Sequence, residues 1–265
     1  MDTERNIELR QQAVAASRQI IVKAGTRLLI DRGSVARLVD GIALLRKRGH
    51  RVLLVTSGAV GMGMELAKLE KRPKELAQKQ ALAAMGQTRL MSIYAEEAAR
   101  PGFQVAQLLL TASDLRNRSR YLNVMNCINA LWERDVLPIV NENDSVSVEE
   151  IVFGDNDNLS AIVAALVEAQ GLIILTDIDG YYDDDPRENP DARIIHSLDA
   201  ITDEMIEAAG GNGTNRGTGG MRTKLEAARF AGQHGIETVI MSGDNPKKIF
   251  DLFDGHSVGT HIKVK

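Results

Sequence analysis

An α/β sandwich built on a mostly parallel sheet is the fold that the sequence predicts, and three observations predict it. Short β-branched runs alternate with amphipathic helical patterns along nearly the whole chain. One run, 171–175, is apolar throughout, as a strand covered on both faces must be. Glycine-rich turns fall after strands or before helices, where the carboxyl-end crevice of such a sheet lies.

In chain order, the polar stretch 6–16 reads as a loosely attached helix within an N-terminal extension, 1–18, and the main domain occupies 19–265. Residues 19–23 form a first strand that ends on Lys23 and the Gly25 turn. The apolar positions Val35, Leu38, Val39, Ile42, Leu44 and Leu45 give 34–48 helical spacing. A strand at 51–55 runs into Thr56-Ser57-Gly58-Ala59-Val60-Gly61 and a further helix start. Residues 75–99 read as a long helix in which Ala83, Ala84 and Gly86 admit a close neighbour. Strands follow at 103–110 and 136–140, separated by a helix at 119–134 that carries Trp132 as a packing residue. Pro138 places the second of these strands near its own start or toward an edge. The alternation over 145–152 fits a hairpin or flap, and the acidic turn 179–186 fits a solvated loop. A helix at 221–233, a strand at 237–241, a short helix at 246–253 and an edge strand at 258–262 complete the reading.

Composition narrows the function. The chain has 265 residues, 44% hydrophobic and 26% charged, which suits a globular domain with a sizeable core. A net charge of −4, with basic residues scattered among acids, carries no nucleic-acid footprint and directs attention to small-molecule chemistry. Residues 1–18 lack the apolar core of a signal peptide, and no stretch reaches the roughly 18 apolar residues of a membrane span. The single Cys127 lies in a helical pattern with Tyr121, Val124 and Leu131 and is expected to be a core residue in a reducing, cytoplasmic setting.

Two polar clusters exceed what capping needs. Asp155-Asn156-Asp157-Asn158 precedes an apolar helix, and an N-cap uses one or two of the four. Asn141-Glu142-Asn143-Asp144 follows a strand, so both clusters can meet at one end of the sheet. Lys23 beside a glycine turn is read either as solvated or as facing an anion, and Ser57 either as an N-cap or as part of an anion-binding helix start. Neither common nucleotide signature is present: the segment 217–224 has a lysine with the wrong glycine spacing for a P-loop, and Gly25 opens no dinucleotide fingerprint. Two lysines, three glycine-rich turns and two carboxylate/amide clusters remain, the inventory of phosphoryl transfer.

Lys23-Ala24-Gly25-Thr26, Val55-Thr56-Ser57-Gly58-Ala59, Val140-Asn141-Glu142-Asn143-Asp144, the run from Phe153 to Ala161 and the run from Gly217 to Lys224 resemble, in that order, the successive motifs of the glutamate 5-kinases within the amino-acid-kinase family. The resemblance implies a three-layer α/β/α sandwich, with glutamate toward the N-terminal half and ATP with Mg²⁺ in the C-terminal half. Carried onto this chain, it implies that Lys23 and Lys224 neutralise the transferring phosphoryl group, that Gly25 and Gly58 donate backbone amides, and that Asp157 orients the lysines. Ser57, Gly58, Asn141, Asp144 and Asn156 would hold glutamate. Lys23, Gly25, Thr176, Asp177, Thr218, Gly219, Gly220, Met221, Arg222, Thr223 and Lys224 would line the ATP site. No residue is singled out as a metal ligand.

The resemblance also implies a γ-glutamyl phosphate product that begins proline synthesis, feedback inhibition by proline, a homo-oligomer, and docking with a downstream reductase. Many bacterial members continue into an RNA-binding-like PUA domain, whereas this sequence ends just after the kinase pattern. The rival readings are a kinase of the same fold for N-acetylglutamate, carbamate or a nucleoside monophosphate, and a non-catalytic nucleotide- or proline-sensing module. Asp144 argues against an acetylated acceptor, since a carboxylate serves a free α-ammonium.

Overall fold

The computed structural model describes residues 16–29, 32–147, 156–210, 220–244 and 247–263. Among these, eight strands form one sheet: β1 (Gln19–Ala24), β2 (Arg51–Val55), β3 (Gln104–Leu110), β4 (Val136–Glu142), β5 (Gly171–Thr176), β6 (Ser197–Leu198), β7 (Glu237–Ser242) and β8 (Thr260–Ile262). Their order is β3-β4-β2-β1-β5-β7-β8-β6, parallel except where β8 runs against β7. Most of the predicted segment 1–18 lies outside the described residues, as do 148–155 and 211–219, which hold the second half of the predicted flap and most of the glycine-rich run.

Period-two alternation decides the layering. On β1, Ile20, Val22 and Ala24 face a core with α1 (Arg32–Lys47), α3 (Leu76–Ala99) and α9 (Lys247–Phe253), which supply Val39, Leu90 and Leu252. Ile21 faces the opposite core, where α5 (Arg118–Glu133), α6 (Asn156–Leu166), α7 (Asp203–Ala208) and α8 (Met221–Gln233) supply Ile128, Leu159, Ile206 and Leu225. Helices therefore cover both faces, as the resemblance implies. No described helix is long and apolar enough to cross a membrane.

The predicted close approach within 75–99 is present. α2 (Ala59–Leu66) lies so tightly on α3 that a Cβ on Gly86 would stand 1.8 Å from the Ala59 carbonyl oxygen. One on Gly63 would stand 2.0 Å from that of Leu82. Pro138 is explained by register: β4 pairs with β3 along its length but with β2 only from Ile139 onward, so the missing N–H costs no bond on that side. Trp132 packs as expected, its indole N–H donating to Val52 O at 2.9 Å.

Two expectations are corrected and one helix is added. β8 is not an edge, because the two-residue β6 pairs outside it. A short helix, α4 (Ala112–Arg116), precedes α5; Asp114 caps Thr111 in a reciprocal box. Cys127 is exposed, since the inward stripe of α5 runs through Tyr121, Val124, Met125, Ile128 and Trp132 and leaves it about one 100° step to the side.

Candidate active site

The parallel strands β1, β2, β4 and β5 end on one side of the sheet, and α6 begins there. Its first two residues, Asn156 and Asp157, are both buried, and about 100° of helical rotation sends them to different neighbours.

Asp157 is 0% exposed and collects charge. Lys23, next to last on β1, ion-pairs with Oδ1, while Lys224 in the first turn of α8 donates to Oδ2 at 3.1 Å. The Thr223 hydroxyl also donates to Oδ2, at 2.9 Å. Both lysines are buried, 2% and 6% exposed, so the solvated reading of Lys23 is wrong. Burial alone would push the Asp157 carboxyl up; the charges and hydrogen bonds of Lys23 and Lys224 overcome it and hold it far below the ordinary carboxylate range. Two ammonium groups drawn to one carboxylate at a crevice suit a polyanion between them.

Asn156 collects neutral groups. Its side-chain amide donates to Thr56 O, to Asn141 Oδ1 at 2.8 Å and to Ser57 Oγ at 3.1 Å. Ser57 is not the N-cap of α2: that position is Gly58, at φ 95°, a left-handed conformation that glycine adopts without strain. The serine hydroxyl is thus turned to Asn156 instead of to the helix. Thr56 is steadied from α3, where Tyr94 OH lies 2.8 Å from its hydroxyl.

Asp144 lies in the turn after β4. Burial and, less strongly, the neighbouring Glu142 push its carboxyl up to about 6, against a smaller opposing effect of Arg72. At the end of β5, Thr176 donates to Asp177, whose other oxygen meets Arg187 at 3.3 Å. Gly220 caps α8, and its carbonyl shares the single Thr223 hydroxyl hydrogen with Asp157, each at 2.9 Å. Met221 packs on the core, and Arg222 reaches along the helix to Glu226 at 2.9 Å. Thr218 and Gly219 lie outside the described residues, as does Asp155.

The structure therefore joins Lys23, Asp157, Thr223 and Lys224 in one group and Ser57, Asn141 and Asn156 in another, with Gly25 and Gly58 in the turns beside them. Sequence reasoning missed Gln87, which bonds to Asn141, and Tyr94. A faint signal existed: Gln87 stands four residues after Ala83, on the buried stripe of a helix whose buried side chains before Tyr94 are otherwise small or apolar. Among the described residues no group of three or more His, Cys, Asp or Glu could cage a metal, and both Asp157 oxygens face cations.

A model of the amino acid kinase family matches residues 18–242. A glutamate 5-kinase of Geobacter metallireducens is 50% identical over 249 residues, 92% of this chain and 67% of that one. A glutamate 5-kinase of Clostridium perfringens is 45% identical over 265 residues, 96% of this chain and 98% of that one. Among solved structures, carbamate kinase from Giardia lamblia bound to AMP-PNP superposes with a TM-score of 0.66 at 18% identity, covering 95% of this chain and all of that one. Isopentenyl phosphate kinase from T. acidophilum gives 0.64 at 18%, covering 92% and 100%. At that identity the likeness concerns the fold.

Proposed function

The chain belongs to the amino acid kinase family, and from that premise we propose that it moves the γ-phosphoryl group of ATP to the γ-carboxylate of L-glutamate. The observation that carries the proposal is the pair of neighbouring residues on α6, one gathering two buried lysines and the other a neutral pocket. Identity with a glutamate 5-kinase at half of the aligned positions, along 92% of the chain, supports the choice of acceptor.

A γ-carboxylate is already an anion, so no general base is needed. Its oxygen forms a bond to the γ-phosphorus as the bond to the β,γ-bridging oxygen breaks, and that electron pair leaves with ADP. Negative charge shifts toward the leaving oxygen while the transferring group passes between two anions. Lys23 and Lys224 supply the positive charge at that point, and Asp157 fixes where their ammonium groups stand. Mg²⁺ arriving with ATP would supply further positive charge to the phosphates beside Lys23 and Lys224. Gly25 and Gly58 offer backbone amides, and Gly220 with Thr223 borders the nucleotide, as do Thr176 and Asp177. Ser57 faces the α-carboxylate of glutamate, and Asp144 the α-ammonium.

The assay is hydroxamate formation from glutamate, ATP, Mg²⁺ and hydroxylamine. Colour is expected with glutamate and not with N-acetylglutamate; folded, nucleotide-bound protein that forms none overturns the proposal. We place the enzyme in the cytoplasm, as a homo-oligomer that hands its labile acyl phosphate to a reductase. Proline would compete for the glutamate carboxylate site, so a glutamate saturation curve unmoved by saturating proline would remove that part.

A further inference from the structure

The pocket group does not end at Asn141. Asn141 Nδ2 donates to Gln87 Oε1 at 2.8 Å, and Gln87 Nε2 donates to Gln107 Oε1 at 3.1 Å, so four amide side chains from α6, β4, α3 and β3 stand in series. Asn141 and Gln87 are 2% and 7% exposed, which makes an unmade bond at either costly.

Backbone groups fix which way each amide faces. The Glu142 N–H donates to Asn141 Oδ1 at 2.9 Å; a backbone donor cannot be reversed, so this atom must be the oxygen. Asn141 then turns its NH₂ to α3, and Gln87 must answer with its oxygen. At the other end the Thr56 carbonyl can only accept, so Asn156 must present its NH₂ there. Three acceptors thus share the two amide hydrogens of Asn156, and all three belong to the protein. Ser57, accepting from Asn156, keeps its own hydroxyl hydrogen for an outside acceptor.

We propose that Gln87 is a positioning residue for the acceptor substrate: by accepting from the Asn141 NH₂ it holds in place the Asn141 oxygen, whose direction the backbone sets, and through Asn156 it steadies the Ser57 hydroxyl toward the substrate carboxylate. This assignment rests on the glutamate reading above.

Two substitutions separate positioning from mere support. Gln87→Met keeps the length and removes the acceptor, whereas Gln87→Glu keeps an oxygen for Asn141. The KM for glutamate should rise about tenfold in Gln87→Met with the KM for ATP within about twofold, and Gln87→Glu should recover most of the loss. Equal changes in both KM values, no change, or a Glu variant no better than Met would overturn the proposal. If Gln87→Met does not fold, Gln107→Met at the exposed outer end decides: a two- to threefold rise in the glutamate KM supports the series, and a wild-type value overturns it. The side-chain ¹⁵N–¹H pair of Asn156, identified by its loss in Asn156→Asp, gives a reading that needs no turnover. It should move in Gln87→Met and return in Gln87→Glu. Should wild-type protein form no hydroxamate, the glutamate reading falls, and that pair alone upholds or rejects the amide series.

Discussion

Asp157 and Asn156 are adjacent in sequence, yet each anchors a half-site of opposite physical character. The Asp157 half is ionic: one wholly buried carboxylate between two buried ammonium groups. The Asn156 half is neutral, a series of amides whose direction is set by the Glu142 N–H and the Thr56 carbonyl. Charge falls off slowly with distance and tolerates small shifts; hydrogen-bond polarity is lost when a single amide turns over. A migrating phosphoryl group needs the former, because its charge redistributes during reaction. Discriminating one small acid from another needs the latter, since a wrong group leaves a buried partner unmade.

The sharpest way to break this contrast is to neutralise Asp157. In Asp157→Asn two buried lysines lose their shared counter-charge, so kcat should fall by about a thousandfold or more and stability by roughly 3–5 kcal/mol. Steady-state rates and thermal unfolding measure the two effects; near-wild-type stability would show that the ionic half is not held as described. Acid should act similarly. The Asp157 carboxyl is lower in the folded than in the unfolded chain, so its contribution is present above the ordinary carboxylate pKa and is lost as pH falls toward the depressed folded value.

Lys224→Ala comes next. It leaves Asp157 paired with Lys23, so the fold should survive, while kcat drops by about two to three orders of magnitude and the glutamate KM stays within about threefold. A loss confined to nucleotide affinity would instead support a sensor, and would dissolve the division of labour between the halves.

How much of this was legible in the sequence follows the same division. Layering was readable because strands covered on both faces, such as β1 and β5, become continuous apolar runs while burial of one face imposes period 3.6 on α1 and α8, and the long helix announced its close contact through Ala83 and Gly86. The two-residue β6 was not, being too short for any period, and without it β8 looked like an edge. Lys23, Asp157 and Lys224 stood out because charge beside apolar runs is conspicuous. The amide series was hidden for the converse reason: Asn141 stood out within its polar cluster, but its partner Gln87 lies 54 positions away on a helix, where a glutamine is unexceptional. Ser57 misled in the other direction, since a serine before a helix is usually a cap, and only the left-handed Gly58 shows that it is not.

Asp144 gives the smallest effects and tests where ionic character re-enters the neutral half. Its carboxyl, pushed up to about 6, must be ionised to attract an α-ammonium, so the glutamate KM should rise about tenfold between pH 8 and pH 5 while the KM for ATP does not follow. In Asp144→Asn the glutamate KM should be high and flat across that range. Stability should move the opposite way. Below the model-peptide value of 3.8 the group is protonated whether the chain is folded or not, and contributes nothing. Between 3.8 and about 6 the folded chain retains the proton that the unfolded chain gives up, so rising pH works against folding, and the cost is complete above about 6. Asp144→Asn should therefore be more stable than wild type by about 1–2 kcal/mol at pH 8, with the gap closing by pH 4, as followed by urea unfolding. A charge that destabilises its own fold at neutral pH is explained if a ligand cation offsets it, and saturating glutamate should then erase the difference between the two proteins.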